Sequence, residues 1–136
     1  MEIYNFLLTG VGGQGTLLAS DVLAEVGLRA GYEVKKSEVH GMAQRGGSVV
    51  SHVRWGRKVY SPLIAGGEAD YLLAFEKLEA LRYIAFLRPG GLALVNDHRI
   101  TPLSVSSGDA QYPPDETIRR AFQAVTENFY LIPAVA

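Results

Sequence analysis

Short apolar runs and segments of helical periodicity alternate along the first third of the chain. Residues 3–9 form a short apolar run that glycines follow at once, a pattern typical of a buried strand. Residues 16–30 carry apolar side chains at helical spacing, and Gly31 can end this helix in a left-handed conformation. Residues 32–36 predict a second strand, so the chain begins with a βαβ unit whose crossover should be right-handed. The apolar residues at helical spacing are Leu18, Val22, Leu23 and Val26.

The alternation of strands and helices continues to the end of the chain. Residues 48–54 and 58–64 flank Trp55-Gly56-Arg57, which predicts a β-hairpin. Together the elements predict one domain over residues 1–136, with an α/β fold: a Rossmann-like, mainly parallel sheet with helices on both faces and an inserted β-hairpin. The remaining predicted elements are strands at 71–75, 92–96 and 129–132, a helix at 76–87, polar loops at 37–47 and 97–114, and a helix capped by Asp115 with Ile118, Phe122 and Val125 inward.

Composition excludes several classes of function. Thirteen Lys and Arg stand against fourteen Asp and Glu, so the chain has no basic surplus with which to bind nucleic acid. It has no cysteine, which excludes disulfides, thiolate zinc sites and a thiolate-held iron–sulfur cluster within the chain. No apolar run approaches the roughly 20 residues of a membrane span, and the first residues lack a basic signal region. We therefore expect a cytoplasmic protein that does not enter the membrane.

A glycine-rich turn lies between the first predicted strand and the first predicted helix. Its sequence matches G-x-G-x-x-G, and the following helix N-terminus offers N–H groups and partial positive charge to an anion. Glu38 lies where a ribose-binding acid would fall in a nicotinamide enzyme. Three interpretations stay open, namely a tight turn only, a phosphate or nucleotide site, and a contact between subunits. The candidate residues of the turn are Gly10, Gly12, Gly13, Gln14 and Gly15.

A second polar loop, over residues 37–47, should leave the same edge of the sheet. Arg45 can bind a carboxylate or phosphate, and His40 can carry a proton or donate a hydrogen bond. The alternatives are a structural histidine, an ion pair of Arg45 with Glu38, and a packing role for Met42. His52 lies in the middle of a predicted strand, where we expect a structural histidine, and His98 lies in a loop. The three histidines are scattered without metal-ligand spacing, so we expect no metal site. The candidate binding residues in this loop are Glu38, His40, Gly41, Arg45, Gly46 and Gly47.

Both loops together resemble the gamma subunit or domain of 2-oxoacid:ferredoxin oxidoreductases. The turn Gly10–Gly15 is similar to that family's opening turn, and His40–Gly47 with Ser51–Arg54 resembles the indolepyruvate oxidoreductase beta-subunit branch. The likeness covers essentially the whole chain, because it continues through Ser61–Ile64, Ala69-Asp70 and Gly90-Gly91.

The resemblance implies a subunit of an enzyme that oxidatively decarboxylates a 2-oxoacid, here an arylpyruvate such as indolepyruvate, to acyl-CoA and CO2. It implies that thiamine diphosphate, magnesium and iron–sulfur clusters belong to an alpha-type partner subunit, which passes electrons to ferredoxin. This chain would then hold no catalytic residue, with its glycine loops as candidate contacts to coenzyme A. The isolated chain is a candidate homodimer. Members of this branch usually continue past a segment like Leu131–Ala136, so we expect a domain truncated at its C-terminus.

Two other functions remain from the residues alone. A stand-alone NAD(P)-binding domain would use the glycine turn and Glu38, although no substrate-binding half is evident. A non-catalytic interaction domain would use the glycine loops only to shape an interface. Enzymes that adenylate ubiquitin-like proteins also carry a G-x-G-G-x-G turn, but their further Arg and Lys pattern is not evident here.

Overall fold

The computed structural model describes residues 2–11, 15–40, 47–98 and 112–133. Within these residues the chain forms six strands, three α-helices and one 3-10 helix. No helix among them is long and apolar enough to cross a membrane. In chain order the elements are β1 (Ile3–Val11), α1 (Thr16–Arg29), β2 (Glu33–His40), β3 (Ser48–Gly56), β4 (Ala69–Ala74), α2 (Lys77–Arg82), a 3-10 helix (Ile84–Phe86), β5 (Leu87–Asn96), α3 (Asp115–Gln123) and β6 (Asn128–Ile132).

The described strands form one sheet in the order β2-β3-β1-β4-β5-β6. Strands β1, β4, β5 and β6 pair in parallel, whereas β3 pairs antiparallel with both β1 and β2. Because β1 and β2 both oppose β3, they run in the same direction, as the predicted βαβ unit requires. The predicted α/β fold with a mainly parallel sheet is confirmed.

The prediction of a β-hairpin from residues 48–54 and 58–64 is wrong for the second strand. Residues 48–56 form β3, whose partners on its two sides are β1 and β2, so β3 offers no free edge to a third strand. Residues 58–64 instead run irregularly beside β3, where Arg54 donates to the Ser61 carbonyl oxygen at 2.8 Å. The antiparallel hairpin of this fold is therefore β2 and β3, inserted beside β1.

Two boundaries in the first half of the sheet also differ from the predictions. The strand predicted at 32–36 extends to His40, because β2 pairs with β3 from Glu33 through His40. Glu38 and His40 thus lie in a strand rather than in a loop. Gly31 has the expected left-handed conformation, with a φ of 90°.

Element boundaries in the second half of the chain also differ from the predictions. The helix predicted at 76–87 divides into α2 and the 3-10 helix, and β5 begins at Leu87 instead of residue 92. Gly90 has a φ of 79°, and the register of β5 against β4 shifts there, as in a β-bulge. Asp115, predicted as the cap of the last helix, is its first helical residue, with Pro114 in the cap position.

Helices lie on both faces of the sheet, as predicted. Helix α1 packs on the face that presents Phe6, Leu8 and Val53. The opposite face, with Leu7, Leu72 and Val95 at its centre, is covered by α2, the 3-10 helix and α3, whose Ile118 and Phe122 are buried as expected. Burial of these apolar surfaces holds the two layers of helices against the sheet.

Candidate functional site

The two glycine-rich loops begin at one edge of the sheet, where β1, β2, β4, β5 and β6 end; we call it the carboxyl edge. Gly10 of β1 and His40 of β2 both lie opposite Val49 of β3. Because neighbouring strands are about 4.8 Å apart, the backbones of Gly10 and His40 lie about 10 Å apart. The prediction that both loops leave the same edge is confirmed.

The first glycine turn lies at the point where the chain changes direction across the sheet. After β1 the chain passes to the face of α1, and after β4 it passes to the opposite face as α2. The Phe75 N–H that follows β4 donates to the Thr9 carbonyl oxygen at 2.8 Å and keeps the two strand ends together. Ligands of open α/β sheets bind at such a switch point, so this turn occupies the favoured position for a ligand.

The N-terminus of α1 lies at the switch point. Gly15 precedes the helix with a φ of 85° and supplies no side-chain cap. The first turn of the helix contains no acidic residue. The Thr16 hydroxyl is buried and has no hydrogen-bond partner in the part of the chain that the structure describes. These groups are N–H and O–H donors, which suit an anion. Three predicted members of the turn, Gly12, Gly13 and Gln14, lie outside the described residues.

The second loop is described only at its two ends. His40 closes β2 and Gly47 precedes β3, whereas Gly41, Arg45 and Gly46 lie outside the described residues. The Glu38 carboxylate pairs with Lys36 Nζ at 3.0 Å, and Lys36 also binds Asp21 of α1. The sequence analysis missed this lysine as the partner of Glu38, and the ion pair with Arg45 stays a prediction.

The inserted strand β3 separates Glu38 from the first glycine turn. In a dinucleotide-binding sheet the ribose-binding acid follows a strand adjacent to β1. Here β2 is two strands away from β1, and the Glu38 carboxylate already has a cationic partner. The ribose role of Glu38 stays a prediction, and this arrangement does not favour it.

Two buried glutamates at the carboxyl edge were missed by the sequence analysis. Glu76 is the second residue after β4 and caps α2, where its Oε1 accepts from the Glu79 N–H at 2.9 Å. Its Oε2 accepts a hydrogen bond from the hydroxyl of Tyr112, and its side chain has no solvent exposure. A glutamate two residues after a parallel strand, with a second one three residues later, is a signal that could have identified this pair.

Glu79 connects α2 to the end of the second loop. Its Oε2 accepts from the Ser48 hydroxyl at 2.7 Å, and Ser48 is the first residue after Gly47. Burial raises the pKa of the Glu79 carboxyl, and the nearby Glu76 adds to this rise, although Ser48 and Arg82 oppose it. The carboxyl edge therefore contains a carboxyl group that holds a proton more firmly than an exposed glutamate does.

The histidines that the structure describes do not form a metal site. The His52 Nδ1 accepts from the Ile64 N–H at 3.0 Å, and burial lowers the pKa of this imidazole, which fits its predicted structural role. Among the described residues, no three His, Cys, Asp or Glu side chains are placed to hold a metal ion.

Comparison with known proteins identifies the family. Residues 5–135 match the family described as pyruvate ferredoxin/flavodoxin oxidoreductase. The chain belongs to this family. It is 51% identical over 120 residues to the indolepyruvate oxidoreductase subunit IorB of Pyrococcus horikoshii, a match that covers 88% of this chain and 59% of that protein. It is also 49% identical over 129 residues to IorB of Thermococcus kodakarensis, a match that covers 95% of this chain and 62% of that protein. The chain thus spans about three fifths of the length of these curated relatives.

Solved structures share the fold of this oxidoreductase-family chain. A 2-oxoglutarate:ferredoxin oxidoreductase from Magnetococcus marinus, with 2-oxoglutarate, coenzyme A and succinyl-CoA bound, has a TM-score of 0.63 and 22% identity over 98% of this chain and 20% of that one. The pyruvate oxidoreductase subunit PORC of Thermotoga maritima also has a TM-score of 0.63, with 21% identity over 98% of this chain and 64% of that one. At these identities the likeness establishes the fold alone.

Proposed function

We propose that this chain is a subunit of a thiamine-dependent 2-oxoacid:ferredoxin oxidoreductase that acts on indolepyruvate or a related arylpyruvate. The observation that carries the proposal is identity of about one half, over about nine tenths of the chain, to proteins named as indolepyruvate oxidoreductase subunits. The reaction would convert a 2-oxoacid and coenzyme A into acyl-CoA and CO2, with the released electrons passed to ferredoxin.

The redox cofactors would belong to an alpha-type partner subunit. The full sequence has no cysteine that could bind an iron–sulfur cluster as a thiolate. Thiamine diphosphate, magnesium and the clusters would therefore lie on the partner, and ferredoxin would meet the complex there. In this arrangement the present chain completes the enzyme without performing the electron transfer.

The carboxyl edge is our candidate for contact with coenzyme A or with the partner's active site. The N-terminus of α1 and the Thr16 hydroxyl supply donors that fit a phosphate group, which coenzyme A carries. When bound, coenzyme A would supply the thiol that accepts the acyl group. The residues of this chain would bind and orient its phosphates, and we assign none of them a catalytic step.

Co-expression of this chain with an alpha-type subunit tests the proposal. We expect the two to purify together and to reduce ferredoxin when indolepyruvate and coenzyme A are both present. Pyruvate and 2-oxoglutarate serve as matched substrates. Preferential ferredoxin reduction with pyruvate would contradict the arylpyruvate assignment, and a pair that fails to associate would contradict the subunit role itself.

A further inference from the structure

Ser48 lies where the two glycine-rich loops come together in the sheet. It follows Gly47, the last residue of the second loop, and it lies opposite Val11 of β1 in the antiparallel register. Val11 is the last residue of β1 and belongs to the first glycine turn, Gly10–Gly15. We call the pair of Ser48 and Val11 the junction. Since each loop is attached to one member of this pair, the position of the junction determines where both loops leave the sheet.

Two side chains from one helical segment contact the junction. The Ser48 hydroxyl donates to Glu79 Oε2 at 2.7 Å, and the Tyr83 hydroxyl lies 3.4 Å from Ser48 Oγ. Glu79 belongs to α2 and Tyr83 is the residue that follows this helix. Helix α2 comes after β4 and packs on β1, which lies between β3 and β4 in the sheet. The hydrogen bond of Ser48 therefore connects β3 to a helix on the other side of the switch point.

The helix that carries Glu79 is itself held in place at its N-terminus. Helix α2 has only six residues, too few to be stable without tertiary contacts. Lys77 Nζ, on a side chain that is 12% exposed, pairs with Asp97 and with Asp115, each at 2.9 Å. The Glu76 carboxylate accepts from the Glu79 N–H at 2.9 Å. These contacts fix α2 relative to the end of β5 and the start of α3, so Glu79 holds Ser48 from a fixed support.

Stability does not account for a carboxyl group at position 79. Glu79 is a buried residue of α2, and burial raises the pKa of its carboxyl, so the ionised form is disfavoured inside the fold. Apolar side chains of similar shape can replace a buried polar pair with little loss of stability, or even with a gain. What an apolar pair cannot supply is direction, because a hydrogen bond restricts both the distance and the angle at Ser48.

We propose that Glu79 is a positioning residue, which acts through Ser48 to hold the two glycine loops at the separation that a phosphate-bearing substrate needs. The inference rests on the proposed function, in which this edge contacts coenzyme A. Glu79 is 5% exposed, its Oε2 accepts from Ser48, and its Oε1 lies 3.6 Å from Arg82. It therefore acts on the junction and not on a substrate. A displacement of about 1 Å at such a support is enough to weaken the contacts of an oriented substrate.

Steady-state ferredoxin reduction by the assembled enzyme, with varied coenzyme A, tests the proposal. Ser48→Ala and Glu79→Leu each remove the hydrogen bond, and each should raise the KM for coenzyme A at least about fivefold. The kcat should stay within about twofold of the wild-type value, because binding and not chemistry is affected. Glu79→Gln keeps an oxygen acceptor for Ser48, so its KM should stay within about twofold of the wild type.

Arg82→Gln is the matched control on the same helix. It removes the cationic neighbour of Glu79 but leaves the Ser48 contact intact, so the KM for coenzyme A should not change. The double variant of Ser48→Ala with Glu79→Leu should raise the KM no more than the larger single effect, because both substitutions break one contact. Thermal unfolding of each variant confirms that it is folded.

The amide resonances of Val11 and Gly47 in the isolated chain report on the junction without catalysis. Both should shift in Glu79→Leu and stay in place in Arg82→Gln. Unmoved resonances in Glu79→Leu would overturn the proposal, as would additive KM increases or equal KM increases for Glu79→Gln and Glu79→Leu. A wild-type complex that does not use coenzyme A would contradict the proposed function instead, and the two resonances alone would then decide whether Glu79 positions the junction.

Discussion

Glu79 is the side chain at the carboxyl edge whose ionisation should affect stability. Its raised pKa means that the folded state favours the protonated carboxyl. The stability that this group contributes is fully present below its ordinary pKa of 4.5, and it is lost as the pH rises through the higher pKa of the folded state. Glu79→Gln, which cannot ionise, should therefore gain stability relative to the wild type between pH 4 and pH 7.

Urea unfolding at several pH values measures this difference. Glu25→Gln is the control for the change from Glu to Gln itself, because Glu25 is exposed on α1. A difference between Glu79→Gln and the wild type that does not vary with pH would contradict an elevated pKa.

The stability that His52 contributes should depend on pH in the opposite direction. Its Nδ1 accepts the Ile64 N–H, so the folded state holds the neutral imidazole, and burial lowers its pKa. The corresponding stability is present above the ordinary pKa of 6.5 and is lost as the pH falls below it. Asparagine can keep an acceptor near this position, so His52→Asn should lose about 1–2 kcal/mol at pH 8 yet be less sensitive to acid.

Nuclear magnetic resonance titration of the His52 ring protons checks the cause. An imidazole that titrates at or above 6.5 in the folded chain would contradict the prediction, whatever the unfolding curves show.

The contact of α1 with β3 depends on the absence of a side chain at Gly27. A Cβ on Gly27 would lie 2.5 Å from Nε1 of the Trp55 indole, which in turn packs on Phe6 with ring centroids 4.6 Å apart. Gly27→Ala should therefore lift the helix from the sheet and cost about 1–3 kcal/mol, despite the higher helix propensity of alanine. Thermal and urea unfolding measure the loss.

Gly66→Ala is the matched control for the helix substitution. A Cβ there meets no atom within 4 Å, so the change should be neutral or slightly stabilising. Equal effects of the two substitutions would show that backbone entropy, and not the indole contact, determines the result.

At the scale of the whole molecule, function is proposed for one edge of the sheet and not for the other. Arg45 belongs to the second loop of the carboxyl edge, whereas Arg57 follows β3 at the opposite edge. In the assembled oxidoreductase, Arg45→Ala should lower kcat/KM by about tenfold or more through loss of a charged hydrogen bond. Arg57→Ala should leave it unchanged, and neither substitution should shift the melting temperature appreciably.

Steady-state ferredoxin reduction with varied coenzyme A measures both variants. A rise in the KM for coenzyme A with Arg45→Ala would support contact with that substrate. Equal activity of the two variants would contradict a role for the second loop in this enzyme.

The strand order is a feature of the fold that local sequence signals do not determine. The alternation of apolar runs and helical spacing predicts the α/β class and most elements, because each of these depends on residues close in sequence. The pairing of β3 depends on its competing neighbours instead. The segment 48–54 fits a hairpin with 58–64 equally well locally, but β1 and β2 occupy both of its edges.

Long-range contacts also determine which face of α1 meets the sheet and which side chains contact Glu79. The spacing of Leu18, Val22 and Val26 specifies a helix but not the side that meets the sheet. Close packing against Trp55 selects Gly27 for that contact and leaves the larger residues outside. Ser48 and Glu79 meet across 31 residues of chain.

The sequence alone determined the fold class, the family resemblance and the edge at which the glycine loops lie, because period, turn chemistry and motif order are local properties. Only the tertiary structure decided which strand β3 pairs with, which apolar residues stay exposed and which carboxylates are buried. Each of these is a choice among long-range contacts, and its free energy depends on every neighbour that competes for the same surface.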